Sequence, residues 1–533
     1  MKKLHSLLLP IFCLSIVLDW AFAQTVEAPF PSAPPDPNNV FSRMFPDLPP
    51  FSEQTDSARR AMQLLGARDG ILNAQDNMSD PVQSILNPTV FSPRNADNPQ
   101  MPAGMTFLGQ FLDHDVTLDK NSLLNENALP EQTQNFRTAA FDLDSLYGDG
   151  PADSPHLYET STGRIRFVVQ AIPDSDAVSR RGAVRDDVPR NGAGTAIIGD
   201  SRNDQNIILS QLHLALLSFH NAVTDHLARQ PEYRQASPDR IFNDARRLVT
   251  WHYQWIILHE FLPVLIGQRQ LDRILSQGTQ FFRPEQRPDG RGMTRIPVEF
   301  AVAAYRFGHS QVRPSYRLNF GPTSGSPFFA FVFDDTINPN ATDPDDLRGG
   351  KRAPRRFVDW QTFFDFGDGN VRPNKRIDTK LSSVLMHLPG ARLPSPGLPF
   401  DGLQSLPART LTRHVNFGLP SGQAIARRMN LRVLTPAELG DLSHLAADSS
   451  HTLDTSTPLF FYILREAEVM EGGLRLGPVG SGIVGEVFVG LLKADNASIL
   501  NAAPDWTPTL PSARAGQFTM TDLLRFAGVV PPL

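Results

Sequence analysis

The sequence predicts a mainly α protein, a large helical domain with few short strands. Three observations carry that expectation. Apolar residues recur at three- and four-residue steps over long stretches, strand-like alternation is scarce, and no repeat suggests a solenoid or propeller. The 533 residues are 41% hydrophobic and 20% charged, which suits a chain with a large core and excludes a disordered one.

Residues 1–23 read as an export signal. Lys2 and Lys3 open it, Leu7 to Leu18 form an apolar run too short for a bilayer, and Ala21-Phe22-Ala23 supplies an A-x-A cleavage site. The expected location is therefore secreted or periplasmic, as for a Gram-negative bacterial protein, with no integral membrane segment. The single cysteine, Cys13, falls inside this signal. A cofactor must then be held by His, Asp, Glu or backbone oxygen. Residues 24–57 are rich in proline and are expected to run extended over the surface as an arm, with the domain occupying 58–533. A formal charge of -6 argues against nucleic acid as a partner. Oligomeric state is left open.

Helices are expected over Thr106 to Val116, Asn206 to Leu227, Arg240 to Phe261 with Pro263 as its stop, and Pro297 to Val312 with proline in its first turn. Strand-like stretches are Arg164 to Val169 and Phe328 to Phe333. Leu388 to Phe400 is a proline- and glycine-rich connection between helical blocks.

Four segments could carry chemistry. In Gly109 to Asp115, Gln110 and His114 are four residues apart and share a helical face. A histidine beside an amide can move a proton near neutral pH; the alternative is a solvated helix end. In Arg306-Phe307-Gly308-His309, a histidine follows an apolar run. It is either a hydrogen-bonded core residue or an iron ligand, with Gly308 letting a flat macrocycle approach the backbone. Asp200 to Asn206 is either a capped helix start or the place of a fixed cation, Arg202, that stabilises developing negative charge. Thr138 to Asp144 alternates oxygen donors and, with Asp115, suits calcium; an exposed acidic loop is the alternative. His213, His220, His252 and His259 read as packing or hydrogen-bonded residues, the alternative being a metal site between helices.

Together and in this order the segments resemble the peroxidase–cyclooxygenase superfamily, the animal-type haem peroxidases, over roughly Asn98 to Gly528. Further support comes from Tyr147-Gly148, Gln254 to Ile257, Phe261-Leu262-Pro263, Arg376-Ile377-Asp378, Gly418-Leu419-Pro420 and Leu474 to Pro478. The resemblance implies haem b and calcium as cofactors, hydrogen peroxide as the oxidant, and halide, thiocyanate or small organic molecules as electron donors. His114 would be the distal acid–base, Gln110 would line the distal cavity where halide or water sits, Arg202 would be the distal arginine and His309 the proximal ligand. Arg306 and Thr410 would join the cofactor-binding set, Thr410 standing near the position that steadies the proximal imidazole. Calcium would be held by Asp115, Thr138, the carbonyl of Ala140, Asp142 and Asp144. Asp113 keeps a carboxylate that can esterify a haem methyl in this family. Gln205 and Asn206 replace the other two attachment groups, so at most one ester is expected. The competing functions are a fatty-acid dioxygenase of the same superfamily, disfavoured by Arg306 where a radical tyrosine would stand, and a non-catalytic haem-binding or adhesion protein.

Overall fold

The computed structural model describes residues 39–86, 95–161, 163–284, 294–389, 404–440, 442–446 and 452–530. The export signal, the first part of the arm and most of the Leu388–Phe400 connection lie outside the described residues. The helices of ten or more residues are α1 (Asp56–Leu65), α2 (Gly104–Val116), α3 (Ile207–Ala228), α4 (Pro238–Ile256), α5 (Gln268–Gln277), α6 (Leu406–Asn416), α7 (Leu459–Glu471) and α8 (Pro478–Ala494). Among the described residues the strands form two-stranded antiparallel pairs. Tyr158–Glu159 pairs with Arg166–Phe167, and Ser315–Asn319 with Phe328–Phe331.

The central helix is α3. Apolar residues cover nearly its whole circumference, so it is buried on all sides, as a core helix must be. It is long and apolar enough to cross a membrane, but 89% of that stretch is buried inside the protein. Asn206 caps it, the side-chain oxygen accepting from the Leu209 N–H at 2.9 Å. α2 and α4 pack against α3, while α5 and α7 pack on α8. α2 begins close against the chain at 363–364. A side chain on Gly104 would meet the Phe364 ring at 2.5 Å.

The arm departs from expectation. Residues 39–57 are not a surface strap: Phe41, Phe45 and Phe51 are buried in the main core. The segment turns at Pro46, and its buried aromatic residues supply the apolar area that fixes it. Its backbone is held by the fully buried Glu299, whose carboxylate accepts from the N–H groups of Met44 (2.9 Å) and Phe45 (3.0 Å).

Two helical expectations also change. Pro263 does not end α4. The chain widens into a π turn at Ile257–Phe261, resumes as Leu262–Ile266, and stops at Gly267, whose φ is 81°. The wide turn absorbs the proline, which lacks the N–H a regular helix would require. The stretch at 297–312 is not one helix. It winds as a π turn (Glu299–Ala303), a 3-10 turn (Ala304–Phe307) and one short α turn (Gly308–Gln311). The change of pitch is stabilised from outside the ladder, because Arg306 Nε donates to the Ala301 carbonyl at 2.7 Å.

Glu299 therefore ties residues 44–45 to the winding that carries His309. Glu299→Ala is expected to leave two buried N–H groups unpaired, each costing about 1–3 kcal/mol. Denaturant unfolding should show a matching loss of stability, and an unchanged midpoint would refute the tie.

Candidate active site

Two pieces of chain, α2 and the irregular winding at 299–311, meet face to face. Tyr305 stacks on Phe300, and its hydroxyl donates to the Gly109 carbonyl at 3.1 Å. One turn further along α2, Arg306 Nη1 bonds Asp113 Oδ2 at 3.1 Å. The other Asp113 oxygen accepts from the Thr117 hydroxyl at 3.1 Å. Asp113 and Arg306 are thus brought together by the fold.

His114 lies on the last turn of α2 and is buried. Its Nδ1 is 2.9 Å from Asn203 Oδ1, and Asn203 Nδ2 is 3.1 Å from His213 Nδ1. That pairing requires neutral His114 to carry its proton on Nδ1, which leaves a lone pair on Nε2. Among the described residues Nε2 has no partner, and it is not sealed from solvent. Burial, and then the nearby Arg202 charge, push the His114 imidazole down to about 4, so it is neutral over most of the pH range. Burial pushes His213 down to about 3. Asn203 reads in the sequence as a helix-start residue, and nothing in its spacing announces a link between two histidines.

Arg202 sits in the 3-10 turn Ser201–Asp204 that leads into α3. Asp200 receives its Nε (3.1 Å) and Nη2 (2.7 Å), and Nη2 also reaches the His114 carbonyl at 3.0 Å. Nη1 is left accessible and without a protein partner. Gln110, one helical turn before His114, is joined to the same turn. Its Nε2 donates to Gln205 Oε1 at 3.1 Å, and its Oε1 accepts from Asn206 Nδ2 at 3.3 Å.

Across from α2, His309 is half-buried in the short turn Gly308–Gln311. Its Nδ1 is sealed from solvent and unpartnered. The accessible nitrogen is therefore Nε2, and a side chain on the adjacent Gly308 would meet nothing within 4 Å. Burial, followed by the Arg306 charge, holds the imidazole down to about 3, hence neutral and able to donate a lone pair. The structure corrects the expectation for Thr410. Its hydroxyl donates to the Leu406 carbonyl at 3.0 Å inside α6, the common fate of a threonine within a helix, and does not steady His309.

Behind His114, one carboxylate oxygen from each of Asp115, Asp142 and Asp144 lies within 4.8 Å of the others. Asp115 is also gripped by the Ser145 hydroxyl (2.9 Å), the Leu143 N–H (3.3 Å) and the Tyr253 hydroxyl (3.2 Å). Thr138 joins the group, its N–H on Asp144 and its hydroxyl on Asp142 at 2.8 Å. Ala140 is half-buried in the intervening loop. Burial, reinforced by the neighbouring carboxylates, raises Asp115 well above the ordinary range, and Asp144 is pushed up to about 7, mainly by burial. Such a cluster of hard oxygens fits a divalent cation that would relieve its repulsion. Addition of calcium to metal-free protein is expected to raise the melting temperature, and chelation to lower it. Identical melting curves, with metal content checked, would exclude a cation here.

Comparison with known proteins adds a common frame. The animal haem peroxidase family profile matches residues 121–340. A chorion peroxidase of Aedes aegypti is 24% identical over 339 residues, 61% of this chain and 37% of that protein. A peroxidase-like protein of Margaritifera margaritifera is 26% identical over 69% of this chain and 45% of its own length. The chain thus spans less than half the length of these curated relatives. Among solved structures, peroxidase A from Dictyostelium discoideum superposes with a TM-score of 0.54 at 16% identity, covering 89% of this chain and 92% of that one. The Oryza sativa fatty acid alpha-dioxygenase also gives 0.54, at 14% identity over 93% and 80%. The shared fold alone does not separate the two chemistries.

Proposed function

We propose that this chain, a member of the peroxidase–cyclooxygenase superfamily, is a haem-dependent peroxidase that reduces hydrogen peroxide at the expense of a small donor. The observation that carries the reading is a pair of neutral histidines with different surroundings, one on α2 and one in the short turn packed against it. His309 offers an accessible, neutral Nε2 beside the open space at Gly308, and His114 offers an Nε2 lone pair backed by Asn203.

Those residues fit a haem. His309 Nε2 would hold the iron, and the missing side chain at Gly308 would give the flat ring room. When bound, the haem supplies the two-electron redox chemistry that no side chain here can provide. The protein's own part is proton handling and charge. His114 Nε2 takes the proton from the near oxygen of peroxide, and the resulting imidazolium is stabilised by the Asn203 carbonyl on Nδ1–H. The same nitrogen returns the proton to the far oxygen as it leaves as water. Arg202, clamped by Asp200 and with Nη1 free, holds positive charge beside the breaking O–O bond. Calcium at Asp115, Asp142 and Asp144, with Thr138 and the Ala140 carbonyl, would fix the turn that bears His114. Export from a bacterial cell through residues 1–23 belongs to the same reading, as a secreted or periplasmic enzyme.

The dioxygenase reading meets Arg306, and not a tyrosine, three residues before His309. Tyr305 is turned away, its hydroxyl on the Gly109 carbonyl.

His309→Ala is expected to abolish stable haem uptake, seen as loss of the Soret band. His114→Ala should keep that band and slow the reaction with peroxide by roughly 10²–10⁴-fold in stopped flow. Retention of normal haem spectra by the first variant, or of normal kinetics by the second, would overturn the assignments.

Asp113 would be the carboxylate that forms an ester, since the second position carries an amide, Gln205, which cannot. Haem is expected to be extractable by acidic organic solvent from fresh protein and less so after peroxide treatment, with Asp113→Asn abolishing the change. Haem that stays fully extractable would leave Asp113 only its ion pair with Arg306.

A further inference from the structure

Three arginines from separate parts of the chain gather around Phe320. Arg180 comes from the 3-10 turn Arg180–Gly182, Arg317 from the strand Ser315–Asn319, and Arg372 from the residue before the strand Pro373–Lys375. The Arg180 guanidinium lies 4.2 Å, and that of Arg317 4.8 Å, from the centre of the same buried Phe320 ring, so the two can be no further apart than those distances together. Arg317 Nη2 donates to the Asn370 carbonyl at 3.2 Å, two residues before Arg372. Burial, followed by the charges of Arg372 and Arg180, lowers Arg317 below the ordinary arginine range, as crowded like charges must.

Elsewhere the fold answers such charges with carboxylates. Arg190 is paired with Asp187 and Asp204, Arg348 with Asp346, and Arg313 with Asp97. Among the described residues Arg180, Arg317 and Arg372 form no ion pair, and their side-chain hydrogen bonds are those of Arg317 to the Asn370 oxygens. The carboxylates that bear on Arg317 are Asp359 and Asp368. Asp359 is already held by Arg185 and by the Phe320 N–H at 2.8 Å. Asp368 accepts from the Asn370 N–H at 3.0 Å, and its other oxygen is sealed from solvent without a partner. Three cations thus stand against one uncommitted carboxylate. The three arginines are half-buried. Arg317 Nε and Arg372 Nε are sealed and unpartnered, whereas Arg317 Nη1, both Nη atoms of Arg372 and all three nitrogens of Arg180 stay accessible.

We propose that this cluster is a binding site for a doubly charged phosphate group, as inorganic phosphate or a phosphate monoester. Each guanidinium offers a planar fork of N–H donors that matches two phosphate oxygens, and a dianion matches the surplus of charge. The ring that Arg180 and Arg317 share restricts both side chains, so less freedom is lost when the anion binds. Among the described residues no side chain of the cluster bonds to those around His114 or His309, so the site stands apart from the peroxidase reading.

Titration calorimetry of the full chain with inorganic phosphate, at an ionic strength held constant with chloride, should show one site, and phosphate should raise the melting temperature. Arg372→Gln should weaken phosphate binding about tenfold, the size of one charge-assisted contact. It should not lower the melting temperature in chloride, because it removes an unpaired buried nitrogen and a like charge. A merely structural arginine gives the reverse, lost stability with the phosphate affinity kept. Arg180→Gln, a second variant at a more accessible position, should weaken binding to a similar degree, and peroxide turnover should be unchanged in both. Vesicles of phosphatidylcholine with phosphatidic acid distinguish the source of the group. Co-sedimentation of the parent that is lost in Arg372→Gln assigns it to a lipid headgroup, and phosphate binding without co-sedimentation assigns it to a soluble phosphate. A parent that binds neither phosphate nor these vesicles, or variants that bind phosphate within twofold of the parent, overturns the site.

Discussion

The ion pair between Asp113 and Arg306 is the contact on which the site's geometry depends. It joins residues 193 positions apart in the chain, one at the end of α2 and one in the winding that presents His309. Its value lies in placement more than in stability, because a partly buried ion pair gains little over its desolvation cost. The guanidinium also holds the Ala301 carbonyl. One side chain thus stabilises the irregular pitch of the segment that carries His309 and ties it to α2. Regular α winding from 297 to 312 would satisfy that carbonyl internally and give Arg306 no second hold.

Around this cross-link the two histidines are kept neutral by burial and are differentiated by their neighbours. His114 has its Nδ1 committed to Asn203, which sets its tautomer and directs its basic nitrogen outward. His309 has a sealed Nδ1 with no partner, so its position comes from backbone and packing, with Phe460 6.1 Å away between ring centres. The surroundings of His114 are consequently the more constrained. Asp115, Asn203, Arg202 and the amide chain from Asn206 all converge on the last two turns of α2. Preorganisation of that kind sets the orientation of polar groups in advance.

Much of this was legible in the residues. The periodic apolar runs gave α2 and α3 with their starts off by one or two positions, because the core faces of long helices leave a strong 3.6-residue signature. His114, Asp113 and Gln110 could be placed on one helix by spacing, whereas the alternating oxygen donors of residues 138–144 also fitted an exposed acidic loop, and it is the fold that brings Asp115, Asp142 and Asp144 together. The errors share a cause. Proline at 263 and in the arm was read for its local effect, yet a π turn accommodated the first and buried aromatics pulled in the second. Thr410 was assigned by position, and the helix carbonyl four residues earlier claimed its hydroxyl.

The sequence by itself determined the helical class and the segments that carry the principal histidines and carboxylates. These depend on residue type and short-range spacing, which the chain states directly. Only the tertiary structure decided that Asn203 bridges His114 to His213, that Arg306 reaches Asp113, and that Gln110 joins Asn206 to Gln205. Each of these is a hydrogen bond between segments with no regular spacing, and which end of a polar group is used follows from what the fold places opposite it.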